Sequence, residues 1–193
     1  MSPLAPRALT APSAWVVRFA PLIRPEGEVL DLACGAGRHA LYLASRGHAV
    51  TAVDRDGEAL AGLAGTPGVS AVRADLEGGP WPFRGRRFDA VVVANYLHRP
   101  LLPAIRDALA EGGVLLYETF MLGQEAFGKP ANPHFLLEAG ELLRAFDGLG
   151  VVAFEQGRVA EPWPAVVQRL CAVKGTPVEG VLLPGAAAPG RRP

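Results

Sequence analysis

Apolar residues from position 28 to position 173 fall into two alternating patterns. Short, nearly continuous apolar runs at 28–33, 48–54, 69–73, 88–94, 114–118, 150–154 and 166–173 have the length and β-branched content of strands. Between them, helical spacing appears at 39–44, 58–63, 101–110 and around 138–146. Gly47, Gly65 and Gly112-Gly113 stand where the first three of these helices would stop. The run 88–94 carries no polar alternation after Asp89, as expected of a strand covered on both faces of a parallel sheet. Strands alternating with helices predict right-handed βαβ units and an α/β, doubly wound sheet. Ligands of such sheets bind beyond the carboxyl ends of the strands, at the switch point in strand order. Candidate chemistry is therefore sought just after each strand.

The ends of the chain depart from this rhythm. Residues 1–27 carry Pro3, Pro6, Pro12, Pro21 and Pro25, and the apolar stretch 14–19 between them allows one or two helical turns. A packed N-terminal arm is preferred over a lid that sets Trp15 or Phe19 on a ligand, because aromatics in short helices usually pack. Residues 176–193, rich in Pro, Gly and Ala, read as a tail that docks through Val181, Leu182 and Leu183. The organisation expected is thus an arm (1–27), one α/β domain (28–175) and a tail (176–193).

Composition narrows the class. With 193 residues, half of them hydrophobic, the chain can bury one core without staples. Its 19 basic and 19 acidic side chains cancel, which argues against nucleic acid or another polyanion as partner. No apolar run reaches the roughly 18–20 residues of a membrane span, and the N-terminus lacks the apolar core of a signal peptide. Cys34 and Cys171 are too few for a disulfide framework, so a cytoplasmic, reducing location is expected. Four histidines at 39, 48, 98 and 134 show no metal-ligand spacing, and no metal is expected.

The first strand-to-helix junction reads Asp31-Leu32-Ala33-Cys34-Gly35-Ala36-Gly37-Arg38. Gly35 and Gly37 let the backbone turn sharply and approach a ligand, while the amides opening the next helix face any anionic group there. Read literally, Gly35-x-Gly37-x-x-Ala40 also fits the dinucleotide fingerprint, so an NAD(P)-dependent oxidoreductase is a rival. Three acids pull away from it. Asp31, Asp54 and Asp75 close three consecutive strands. A carboxylate before the loop repels a pyrophosphate but suits an ammonium group. Asp54 can accept from both ribose hydroxyls, and Asp75 with Leu76 can take an adenine edge. Each acid could instead cap the following helix, a poor fit for Asp31, an even one for Asp54 and the better one for Asp75. A ligand with ammonium, ribose and adenine but no phosphate is S-adenosylmethionine.

Residues 29–44 with Val53-Asp54 resemble the first two motifs of class I S-adenosylmethionine-dependent methyltransferases. Residues 88–95 resemble their fourth-strand segment, and 109–116 their turn into the fifth strand. Within that class, 31–38 and 135–142 are most similar to the tellurite-resistance-type small methyltransferases. The resemblance implies a mostly parallel seven-stranded sheet with an antiparallel last strand, and transfer of a methyl group to a small-molecule acceptor. By it, Asp31 faces the cofactor's ammonium, Gly35 and Gly37 line its methionine portion, and Arg38 pairs with its carboxylate. Asp54 holds the ribose, Arg55 lies across the adenine, Asp75 and Leu76 fix its edge, and Asn95 stands near the sulfonium. Ala33 is a departure, since the class usually has glycine there; a tighter pocket is expected rather than lost binding.

Methyl transfer is mostly a matter of positioning, and a base is needed only if the acceptor must lose a proton. Candidates follow the fourth strand: His98 as base, Tyr96 to orient the acceptor and Arg99 to recognise an anion. Tyr117, Glu118, Phe120, Phe127 and His134 are candidate acceptor-pocket residues, and the long segment after the fifth strand reads as a lid. Cys34 reads as packing rather than as a nucleophile. A non-catalytic S-adenosylmethionine-binding module is the other rival, because no single base stands out.

Overall fold

The computed structural model describes residues 11–184; Pro3 and Pro6 and the last nine residues of the tail lie outside them. Seven strands form one sheet: β1 (Glu28–Leu32), β2 (Ala49–Asp54), β3 (Val69–Arg73), β4 (Phe88–Ala94), β5 (Leu109–Phe120), β6 (Gly150–Val159) and β7 (Ala165–Val173). Their order is β3-β2-β1-β4-β5-β7-β6. The pairs from β3 through β5 are parallel, and β7 runs antiparallel to both its neighbours. The sheet is therefore mostly parallel with a reversed last strand, as the resemblance implies.

Pleating sorts the apolar residues of each strand into two cores. Leu30, Leu32, Val91, Val93, Leu115 and Tyr117 face one side, where α4 (Leu102–Asp107) and α5 (Glu141–Ala145) add Leu102, Ile105 and Leu142. Val29, Ala52, Ala90, Val92, Val114 and Leu116 face the other. There α1 (Ala14–Phe19), α2 (Arg38–Ser45) and α3 (Gly57–Ala61) contribute Trp15, Val16, Phe19, Ala40, Leu43 and Leu60. Helices on both faces explain why the strands read as continuous apolar runs. Trp15 and Phe19 are buried in this second core and stack edge-on at 4.6 Å.

The sixth strand runs on from the expected 150–154 to Val159, and the fifth begins earlier than its apolar run. Residues 109–113, expected to finish a helix, begin β5 instead. Phe88 N–H donates to Ala108 O at 2.8 Å, which ends α4 early. Gly112 and Gly113 then exchange backbone bonds with Lys174 beyond β7. A Cβ on Gly113 would lie 2.8 Å from Ala110 O and 3.0 Å from Phe88 O, so this glycine admits close strand approach rather than capping a helix.

The segment after β5 also differs from the expected lid. Met121 bridges Leu137, Gln124 Oε1 accepts from Val166 N–H at 2.9 Å, and Arg99 clamps the far end. Its guanidinium meets Glu141 through Nε at 2.7 Å and Nη2 at 3.0 Å, and also reaches the carbonyls of His134 and Leu136. Arg99 is thus engaged in holding this segment rather than free to recognise an anion. The Glu141 hydrogen bond raises the Arg99 pKa further.

Candidate active site

The loops after β1 through β5 converge on one end of the sheet, and β1 beside β4 is its switch point. The turn after β1 is built from left-handed backbone: Ala33, Gly35 and Gly37 have φ of 53°, 55° and 74°. For alanine that conformation costs about 1–2 kcal/mol, so Ala33 stores local strain where glycine would not. A Cβ on Gly35 would meet nothing within 4 Å, so the loop leaves open space above it. A Cβ on Gly37, the N-cap of α2, would lie 2.5 Å from a Leu63 methyl.

Asp31 underpins this turn. It is 1% exposed, and its Oδ2 accepts the Ala40 N–H at 2.9 Å. Burial pushes its pKa up to about 7, against the lowering by that hydrogen bond and by the Arg38 charge. Asp54, ending β2, accepts Gly35 N–H on Oδ2 at 2.8 Å and Asp56 N–H on Oδ1 at 2.9 Å. It therefore ties the second loop to the first; the cap of α3 is Asp56, which accepts from Glu58 and Ala59. Asp75 accepts Glu77 N–H at 3.0 Å, and backbone bonds from Glu77 and Gly78 hold its carboxyl below the usual range.

Two cavities share Asn95, which follows β4 at φ 57°. The first, of about 280 Å³, is bounded by Ala33, Asp54, Arg55, Asp75, Leu76 and Asn95, with Ala74, Glu77 and Tyr96. Six of the ten residues expected to bind the cofactor are thus brought together. Three carboxylates face one arginine here, an environment that suits a cation and disfavours a pyrophosphate. Asp31, Gly35 and Gly37 shape the adjoining turn without lining either cavity.

The second cavity, of about 360 Å³, holds Arg38, Glu118, Phe120 and Arg169. Its other walls are the N-terminal segment 11–14 and the turn between β6 and β7, with Glu161, Pro162 and Trp163. Residues 11–14 are pinned by the first turn of α2: Arg38 Nη1 donates to Ala11 O at 3.1 Å, and Ser13 N–H donates to His39 Nε2 at 3.2 Å. Burial lowers the His39 pKa to about 3, so the ring is neutral and can accept that bond. The arm thus packs through Trp15 and Phe19 while its leading residues wall a cavity.

The expected catalytic residues are placed differently from the acceptor roles read from sequence. Tyr96 lines the first cavity, where burial and the Glu77 charge hold its hydroxyl above the usual range. His98 precedes the turn into α4 and lines neither cavity. Tyr117 is fully buried, its hydroxyl donating to Tyr96 O at 3.0 Å. Phe127 lies under the Arg158 guanidinium, and neither it nor His134 reaches a cavity. Glu118 and Phe120 do. Sequence reading missed Glu161, Pro162, Trp163 and Arg169; the Glu-Pro-Trp-Pro turn, aromatic and Pro-rich between two strands, was the available signal. Burial raises the Cys34 pKa, in keeping with a packing thiol.

Residues 29–113 match the family model of a methyltransferase domain. This segment is a methyltransferase domain. No curated protein matches the chain. Among solved structures, the chain is similar to TehB from Haemophilus influenzae, with 22% identity and a TM-score of 0.72 over 86% of this chain. It spans only 63% of that TehB chain. A TehB-like S-adenosylmethionine-dependent methyltransferase from Corynebacterium glutamicum has 20% identity and a TM-score of 0.60, covering 83% of this chain and 86% of that one. The glycopeptide N-methyltransferase MtfA, complexed with S-adenosyl-L-homocysteine, has 22% identity and a TM-score of 0.58, covering 82% and 88%. At these identities the likeness is one of fold, and the fold of the methyltransferase domain is that of class I S-adenosylmethionine-dependent methyltransferases.

Proposed function

We propose that the protein transfers the methyl group of S-adenosylmethionine to a small-molecule acceptor held in the second cavity. The observation that carries this reading is the joint at Asn95, where an acid-lined, adenosine-sized cavity meets an apolar-walled one. The open space over Gly35, between Ala33 and Arg38, fits a cofactor bridging the two. When bound, S-adenosylmethionine supplies an electrophilic methyl group on a sulfonium, displaced in line. Asp54 would accept from the ribose hydroxyls, Asp75 and Leu76 would bound the adenine, and Arg38 would take the carboxylate. Asp31, beneath the turn, would set a negative potential toward the ammonium group once ionised, above about pH 7. Asn95 would flank the transferred methyl. Segment 11–14 and Trp163 would flank the acceptor, so positioning supplies most of the catalysis.

The glycopeptide N-methyltransferase of the same fold acts on an acceptor other than nucleic acid, which supports a small-molecule acceptor here. The neutral charge balance supports it too. A cytoplasmic site of action belongs to the same reading, supported by the free, buried Cys34 and Cys171; among the described residues no helix is long and apolar enough to cross a membrane. We assign the methyltransferase domain to 28–175, with 1–27 as arm and 176–193 as tail.

Calorimetric titration tests the reading. S-adenosylhomocysteine binds the wild-type chain, and Asp54→Ala weakens it by at least about tenfold, since charge-assisted hydrogen bonds are lost. Selective binding of a nicotinamide cofactor would overturn it in favour of an oxidoreductase. Binding of S-adenosylmethionine without turnover across an acceptor panel would make the chain a binding module.

A further inference from the structure

Glu118 ends a chain of alternating charges at the joint of the two cavities. Asn95 N–H donates to its carbonyl at 2.8 Å, so the residue stands beside the shared wall. Glu118 Oε2 accepts from Arg169 Nε at 2.5 Å; Arg169 reaches Glu155 at 3.2 Å, and Glu155 reaches Arg18 at 3.2 Å. The four charges cancel, and the arginine at the inner end is engaged by two carboxylates. Glu118 is 8% exposed and lines the cavity, while its Oε1 accepts no hydrogen bond from any described residue. A carboxylate with one oxygen anchored and the other open is a fixed acceptor for a single N–H or O–H.

The rest of the cavity limits what carries that donor. Phe120, Pro162, Trp163 and Val167 form an apolar wall, with Trp163 39% exposed. Glu161 adds a second acid with no ion pair among the described residues. Arg38, the remaining base, holds the Ala11 carbonyl. An oxyanion entering here would approach two carboxylates, with Arg169 engaged by Glu118 and Glu155 and Arg38 given over to the carboxylate of the bound cofactor. A cationic or donor group on an apolar body meets complementary charge and an aromatic face.

Resting on the methyl-transfer reading above, we propose that the acceptor is an amine on a ring-sized apolar body, and that Glu118 is the catalytic residue that orients its nitrogen and takes its proton. The amine enters as its free base. Its lone pair forms the N–C bond as the donor's S–C bond breaks with the pair left on sulfur, and the N–H proton passes to Glu118 Oε1 and out through the cavity mouth.

The test uses the full chain saturated with S-adenosylhomocysteine and tetrahydroisoquinoline as probe. Calorimetry shows the amine binding to wild type, and about tenfold weaker or worse to Glu118→Gln and Trp163→Ala, each still melting cooperatively. With S-adenosylmethionine, the ratio of tetrahydroisoquinoline to thiophenolate turnover falls at least about 100-fold in Glu118→Gln, because the thiolate has no proton to lose. Methylation of tellurite but not of the amine, or an unchanged ratio and unchanged amine binding in Glu118→Gln, overturns the proposal while leaving methyl transfer intact. Failure of S-adenosylhomocysteine to bind overturns the methyl-transfer reading itself, and this proposal with it.

Discussion

Replacing Asp31 by Asn isolates what a buried carboxylate does to this fold. In the unfolded chain Asp31 titrates near the ordinary value of 3.8; in the folded protein burial lifts it to about 7. Below the unfolded value both states hold the proton, and the group contributes nothing to pH dependence. Between those two values the unfolded state sheds the proton and the native state keeps it, so stability falls as pH rises; above the folded value the full loss persists. A shift from 3.8 to about 7 corresponds to about 4 kcal/mol. Asn keeps an oxygen for the Ala40 N–H but brings an amide that needs its own partners, which costs about 1–3 kcal/mol. Asp31→Asn is therefore more stable than wild type by about 1–3 kcal/mol at pH 8, a melting shift of about 2–12 °C for a chain this long. At pH 4 the advantage disappears or reverses. His39 runs the other way, since its folded value of about 3 against 6.5 removes stability as pH falls through that window. Between about pH 4 and 6.5 the two slopes oppose each other in wild type, and Asp31→Asn exposes the histidine's acid sensitivity. Thermal melts of both proteins without ligand, from pH 4 to pH 8, read the difference directly. A gap independent of pH, or one that closes toward pH 8, refutes the placement of the charge.

Gly37→Ala combines a left-handed alanine with a contact on Leu63, and should destabilise by about 2–4 kcal/mol. In a Leu63→Ala background the same change costs about 1 kcal/mol less, measured as a double-mutant cycle by urea unfolding; strict additivity would place the loss in backbone strain alone. Arg99→Ala releases the segment it clamps, so hydrogen exchange at the Leu136 and Glu138 amides accelerates while that of β1 does not. Unchanged exchange there would show that Met121 and Leu137 hold the segment without the arginine.

The parts of the fold legible in the sequence are those governed by local rules, and the parts missed are those set by contacts across it. β1, β2 and β4 announce themselves because strands covered on both faces are largely apolar, whereas β3, at the sheet edge with Ser70, Ala71 and Arg73 exposed, shows through its β-branched Val69 and Val72. The turn after β1 is legible because glycines at 35 and 37 satisfy left-handed backbone that few other residues accept. Ala33 is the exception; its φ of 53° follows from the geometry of the turn, not from alanine's own preference. Gly112-Gly113 misleads because the same dipeptide serves a helix end or a close strand approach, and only Phe88 and Lys174, far away in sequence, decide between them. The cofactor side of the site follows the same division. Asp54, Asp75 and Asn95 lie at strand ends, where topology sends every ligand-facing residue of a parallel sheet. The acceptor side draws on α2, β5, β7, the segment before α1 and the turn after β6, joined by no spacing along the chain. Arg99 shows the cost of reading a charge by position alone: after a strand end it suggests anion recognition, yet Glu141, 42 residues on, takes it. Glu118 shows the reverse. Its strand position marked it as one of several candidates, and what separates it from Tyr117 beside it is the pleat, which turns one into the core and the other toward Arg169 and the joint of the two cavities.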